Sequence, residues 1–131
     1  MAPHENVSRP LRQLLLALPK LKVADDGRTD YNASDPGLLV QIAEAAEVLQ
    51  RVISLGTSAV GQLMAYASVD IDTGEFSQEA VEALGWLLAE LGSGAAACME
   101  LAAPCREATA DFTGTQEERP QIAGGGYGAK T

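Results

Sequence analysis

The sequence has little of the chemistry that enzymes draw on most often. It contains one histidine, His4, in 131 residues. No Ser-His-Asp or Cys-His constellation can therefore be assembled in the body of the chain. Its two cysteines, Cys98 and Cys105, occur without a C-x-x-C motif. If they share a helix, roughly 10 Å separates them, too far for a disulfide between them. With so few histidines and cysteines, a four-ligand zinc site from one chain is disfavoured too. The cysteines read instead as small apolar fillers of a core. Lys20, Lys22 and Lys130 fall in loop or terminal segments, which leaves lysine-based catalysis little to use.

Basic charge is scarce as well. Nine Lys and Arg stand against eighteen Asp and Glu, for a net charge of −9. Direct binding to nucleic-acid phosphates needs a basic surface and is disfavoured. The sign suits a soluble protein or one that meets a basic partner. The imbalance is uneven. Residues 1–28 carry five basic and three acidic side chains (+2), and the remainder carries four and fifteen (−11). Aromatics make up only 5% of a chain that is 47% hydrophobic. Such an apolar complement, mostly Ala, Leu and Val, favours close helix packing over a sandwich or barrel.

Long uninterrupted apolar runs also read as missing. Glu44, Glu47, Gln50 and Arg51 interrupt one candidate stretch, and Glu90 and Glu100 another, so no membrane span is expected. Leu14–Leu18 is too short for a secretory signal, and Pro19-Lys20-Leu21-Lys22 is no cleavage site. The expectation is a soluble cytoplasmic protein, for which two buried thiols are ordinary.

What the sequence does contain is a pair of long helical stripes. In Leu38–Ala67, Ile42, Leu49, Gly56 and Leu63 recur every seven residues, with Ala45, Val52, Ala59 and Tyr66 three later and Ala46, Ile53, Val60 and Ala67 four later. In Ala80–Ala108, Leu84, Leu91, Cys98 and Cys105 hold one heptad place. Leu87, Gly94 and Leu101 follow three later, and Val81, Leu88, Ala95 and Ala102 four later. This is helical periodicity, not strand alternation. Each stretch would make a helix roughly 45 Å long.

The predicted fold class is all-α: an antiparallel hairpin of two long helices with a short N-terminal helix. Three apolar heptad places on each helix exceed the two of a simple coiled-coil seam, so a second copy is expected to cover the excess in a dimeric bundle. The expected domain layout is a flexible terminus at 1–8, one helical domain at 9–110 and a Gly-rich tail at 111–131. If the hairpin folds at Thr73–Gly74, Gly56 falls near Gly92. That glycine level predicts a close helix crossing or a kink, and an alternative site for a small molecule around Gly56, Gly92 and Gly94.

Local signals place the ends. Ser8 is the predicted cap of the first helix, with Pro10 in its first turn and Pro19 ending it near Leu18. Asp35-Pro36-Gly37 starts the first long helix, expected to run to about Ser68. Val69–Glu75 reads as connector. Ser77 caps the second long helix, with Phe76 and Val81 placed as a hydrophobic staple, and Pro104 should break or kink it after Ala102.

Other motifs fail on inspection. Asp70-Ile71-Asp72-Thr73-Gly74-Glu75 opens like a calcium loop, but Glu75 and Val81 stand where the site needs Gly and Glu. Glu44 and Glu47 lack the Glu-x-x-His pattern of a di-metal bundle. The triple glycine at Gly124–Gly126 has no following Lys-Ser/Thr and is no phosphate loop.

The expected function is accordingly that of a small acidic, non-enzymatic interaction module, without cofactor, metal or catalytic residues. It would act as an adaptor or inhibitor of a basic, nucleic-acid-binding protein, of the kind phages and other mobile elements carry. Helical bundle binding to a nucleotide or metabolite is the alternative. The candidate interface residues are Trp86, Tyr66, Leu11, Leu14, Leu15, Leu18 and Tyr127. They are large apolar side chains of the short helix, Tyr66 of the first stripe, Trp86 off the centre of the second, and Tyr127 in the tail.

Overall fold

The computed structural model describes residues 9–112, and these are helical apart from turns and one loop. The elements are α1 (Pro10–Ala17), a 3-10 turn (Leu18–Lys20), α2 (Pro36–Asp72) and α3 (Gln78–Ala108). The fold is all-α. The expectations for residues 1–8 and for the tail beyond 112, Tyr127 included, lie outside the described residues.

The two long helices begin where their side chains can satisfy free amides. Asp35 Oδ2 accepts from the Leu38 amide at 3.1 Å, and Pro36 occupies the first turn. Ser77 Oγ accepts from the Ala80 amide at 3.1 Å. Each such cap contributes about 1 kcal/mol. α1 differs from expectation: Arg9 holds the cap position and makes no side-chain cap bond, and Ser8 is outside the described residues. Pro10 does sit in its first turn, and the helix gives way to the 3-10 turn around Pro19.

Two boundaries move. α2 runs to Asp72, past Ser68, so Val69–Asp72 is helix and not connector. Thr73 closes it, and Gly74 turns the chain at φ +80°, a conformation glycine adopts without strain. A break or kink is expected after Ala102; α3 continues through Pro104 to Ala108 without a break. Burial explains the continuity. Ala102 and Cys105 flank the proline and are both buried, and their packing holds the backbone helical. The carbonyl that Pro104 cannot serve belongs to the exposed Glu100.

The loop between the 3-10 turn and α2 is tied by one serine. Ser34 is buried; its Oγ accepts from the Lys22 amide at 3.1 Å and donates to the Asp30 carbonyl at 2.7 Å. Val23 and Thr29 form an isolated antiparallel bridge above it.

The core occupies one end of the molecule. Leu14 of α1, Leu39, Ile42, Ala43, Ala45 and Ala46 of α2, and Cys98, Ala102 and Cys105 of α3 are buried together. The long helices stay in contact beyond it along a narrower seam. On α3 the less exposed residues follow steps of three and four: Val81, Leu84, Leu88, Leu91, Ala95, Cys98, Ala102 and Cys105. That is two of the three predicted heptad places, as in a coiled-coil seam. On α2 the seam is Ile42, Ala46, Leu49, Ile53, Thr57, Val60, Met64, Ala67 and Ile71. Two successive steps of four, Leu49 to Ile53 to Thr57, interrupt its heptad rhythm. This is a local stutter, and it leaves the Thr57 hydroxyl buried without a hydrogen-bond partner.

Candidate interaction surface

The flank of α2 beside this seam carries the most informative pattern. Leu38, Gln41, Ala45 and Val48 form its first half and line a cleft of about 430 Å³ against Pro10, Gln13 and Ala17 of α1. The same helical flank continues, by steps of three and four, through Val52, Leu55, Ala59, Leu63 and Tyr66. There no described residue lies over it. Leu63 is 67% exposed and Tyr66 87%, whereas Ile42 on the same helix is fully buried. Val69, Phe76, Trp86 and Leu87 are exposed around the same end.

Beneath Leu63 the surface opens into an apolar hollow of about 290 Å³. Val60, Met64, Ala67 and Ile71 of α2, Phe76 of the turn, and Ala80, Val81 and Leu84 of α3 line it. Phe76 and Val81, the predicted staple pair, both line it. No polar or titratable side chain points into this hollow to orient a polar ligand. The glycines do not make a cavity or a tight crossing. A Cβ built on Gly56, Gly85, Gly92 or Gly94 meets nothing within 4 Å. Gly56, Gly85 and Gly92 are exposed and Gly94 is half-buried, and neither of the two hollows is lined by Gly56, Gly92 or Gly94.

The predicted interface residues divide. Leu14 is buried in the core, and Leu18 is half-buried and packs against it. Leu11 and Leu15 are exposed, as are Tyr66 and Trp86. Leu16, Leu55 and Val69, which the sequence did not single out, are exposed as well, and so are Val52, Leu63 and Tyr66 of the predicted stripe. A heptad of three apolar places does not reveal which two face the neighbour.

Charge is distributed unevenly along the chain. Between Arg51 and Arg106 there is no Lys or Arg, but there are seven acids: Asp70, Asp72, Glu75, Glu79, Glu82, Glu90 and Glu100. Arg9–Ala24 shows the reverse, with Arg9, Arg12, Lys20 and Lys22 and no acid. Residues 52–69 carry no charge at all. α2 is consequently long and apolar enough, with a window of mean hydropathy 1.3, to cross a membrane by length and composition. The interrupting charges noted in the sequence affect only its first half.

The titratable groups serve packing. Arg106 Nε and Nη2 donate to Glu47 Oε1 and Oε2, each at 2.9 Å, linking α3 to α2. The hydrogen bonds from Arg106 hold the Glu47 carboxyl below its ordinary value, and Glu47 raises that of Arg106 in return. Burial pushes both thiols up; at Cys105 the neighbouring Arg106 opposes this only in part. Both cysteines are therefore protonated fillers and not poised nucleophiles. Asp70 and Asp72 lie in the last turn of α2, not in a loop. Among the described residues no group of three or more His, Cys, Asp or Glu could hold a metal ion. Compared with protein-family models, curated proteins and solved structures, the chain gives no significant match.

Proposed function

We propose that the chain is a non-enzymatic protein-interaction module. In this reading α2 and α3 form an antiparallel hairpin, α1 closes its base, and two copies make a dimeric bundle. The bundle presents its acidic outside to a basic protein, as an adaptor or inhibitor. The observation that carries the proposal is the one-signed half of the chain: seven acids and no base from residue 52 to 105. Such a field attracts a basic surface and repels an anionic one.

The test is titration of the purified protein against a panel of Lys/Arg-rich nucleic-acid-binding domains at low and high salt. A true partner loses affinity steeply as salt rises, and Glu79→Gln with Glu82→Gln weakens it further. Binding that ignores salt and these substitutions, or no binding across the panel, contradicts the proposal. The apolar hollow favours one alternative, uptake of a small apolar molecule. A thermal shift with fatty or aromatic ligands, and none with nucleotides, would support that reading.

A further inference from the structure

We infer that the uncovered flank of α2 is a self-interface, covered by a second copy running in the opposite direction across a two-fold axis near Ala59. The inference rests on the dimeric reading above and adds which surface is used and which way the copies run.

Three observations favour a second copy. The first is continuity. α1 covers this flank as far as Val48, and the same apolar stripe then runs on uncovered from Val52 to Tyr66. A layer the thickness of another helix pair would extend the cover that α1 begins. The second is size. The stripe from residue 52 to 69 is about 27 Å long, and two helices side by side are about 20 Å wide. Once curvature is counted, that footprint is of the order of the ~800 Å² each partner contributes to a standard interface.

The third is charge. Along the stripe itself α2 is neutral, so the α2 flanks of two copies can meet without opposing like charges, with Glu82 and Glu90 of α3 outside that contact. Acids cluster at the tip (Asp70, Asp72, Glu75 and Glu79), and α1 with its following turn carries Arg9, Arg12 and Lys20 and no acid of its own, although Glu44 of α2 lines the cleft beside it. An opposite-running copy brings each acidic tip beside the other copy's α1. Leu11, Leu15 and Leu16 are exposed on that helix, and the apolar hollow opens at the tip. A two-fold axis uses each pairing twice, as isologous interfaces require. A same-direction pair would set tip against tip and lose the attraction. A bilayer fits less well. The flank of α2 opposite the stripe carries Gln50, Ser54, Ser58 and Ser68, and the neighbouring helix carries Glu82 and Glu90 with no nearby base to meet anionic headgroups.

The experiment is light scattering and analytical ultracentrifugation of the full chain across micromolar concentrations, with variants. A dimer is expected, with Leu63→Asp raising its dissociation constant by at least about thirty-fold. Arg12→Glu should weaken it several-fold, and Arg12→Glu combined with Glu79→Arg should recover most of the loss. Circular dichroism of each variant establishes that it is folded. Ala59→Cys should oxidise to a disulfide-linked dimer and Tyr66→Cys should not, since two Tyr66 positions lie about 20 Å apart across the axis.

Four results overturn the inference, each differently. A wild-type monomer at about 100 µM that captures a basic amphipathic peptide leaves the interaction reading standing and removes the second copy. A dimer indifferent to Leu63→Asp keeps the dimer and moves the interface. Efficient Tyr66→Cys cross-linking reverses the direction. Co-sedimentation with vesicles of neutral and anionic phospholipid assigns the stripe to a membrane.

Discussion

Leu38–Leu49 and Val52–Val69 are halves of one continuous helix and obey the same periodicity, yet they have opposite surroundings. The first half is enclosed by α1, by α3 and by the loop that Ser34 holds. Among the described residues the second packs against α3 and leaves its flank open. What differs is not the helix but its neighbours, and the two halves should respond differently to the same kind of change.

The largest contrast is expected from truncating one aliphatic side chain in each half. Ile42→Ala empties a fully buried position and should cost about 3 kcal/mol in denaturant unfolding. Leu55→Ala removes a side chain that is exposed in the single copy, and at protein concentrations low enough to keep the copies apart it should cost no more than about 0.5 kcal/mol. Equal losses would mean that the open half is as enclosed as the packed one. Next in size is Ser34→Ala, which strands the Lys22 amide and the Asp30 carbonyl. A loss of about 1–3 kcal/mol is expected, and an unchanged midpoint would show that water replaces the hydroxyl without penalty.

Thr57→Val should act in the opposite sense. It keeps the shape of the side chain and removes the buried, unpartnered hydroxyl at the stutter. Stability should rise by about 1 kcal/mol; a fall would reveal a partner for that hydroxyl. The smallest effect belongs to the Glu47–Arg106 pair. Both side chains are about two-fifths exposed, so Glu47→Gln should cost at most about 1 kcal/mol. The folded-state carboxyl lies below its ordinary value of 4.5. Its contribution is therefore complete above pH 4.5 and is lost as pH falls through the lower folded value. Wild type should lose stability over that acid window, and Glu47→Gln should lose less.

These contrasts also mark what the sequence could and could not say. The helix starts at Asp35 and Ser77 were legible because a cap is a local event: one side chain, one amide three residues on. So was the burial of Cys98 and Cys105, which sit at one heptad place with Leu84 and Leu91. The end of α2 was not legible. Asp70 and Asp72 are turn formers by propensity, but a helix already propagated against α3 carries them into its last turn. Pro104 misled for the same reason, because its neighbours are buried deeply enough to hold the helix. The orientation of the stripe was hidden more fundamentally. Leu63 and Tyr66 share the seven-residue repeat with the buried Ile42 and Ala45, and the repeat is identical whether α1, a second copy or water lies over it.

Amide hydrogen exchange along α2, measured at dilute and at concentrated protein, tests the contrast between the halves most directly. Protection over Leu39–Leu49 should be high and independent of concentration. Protection over Val52–Val69 should be low in dilute solution and rise as the second copy binds. Uniform, concentration-independent protection along the whole helix would contradict the account.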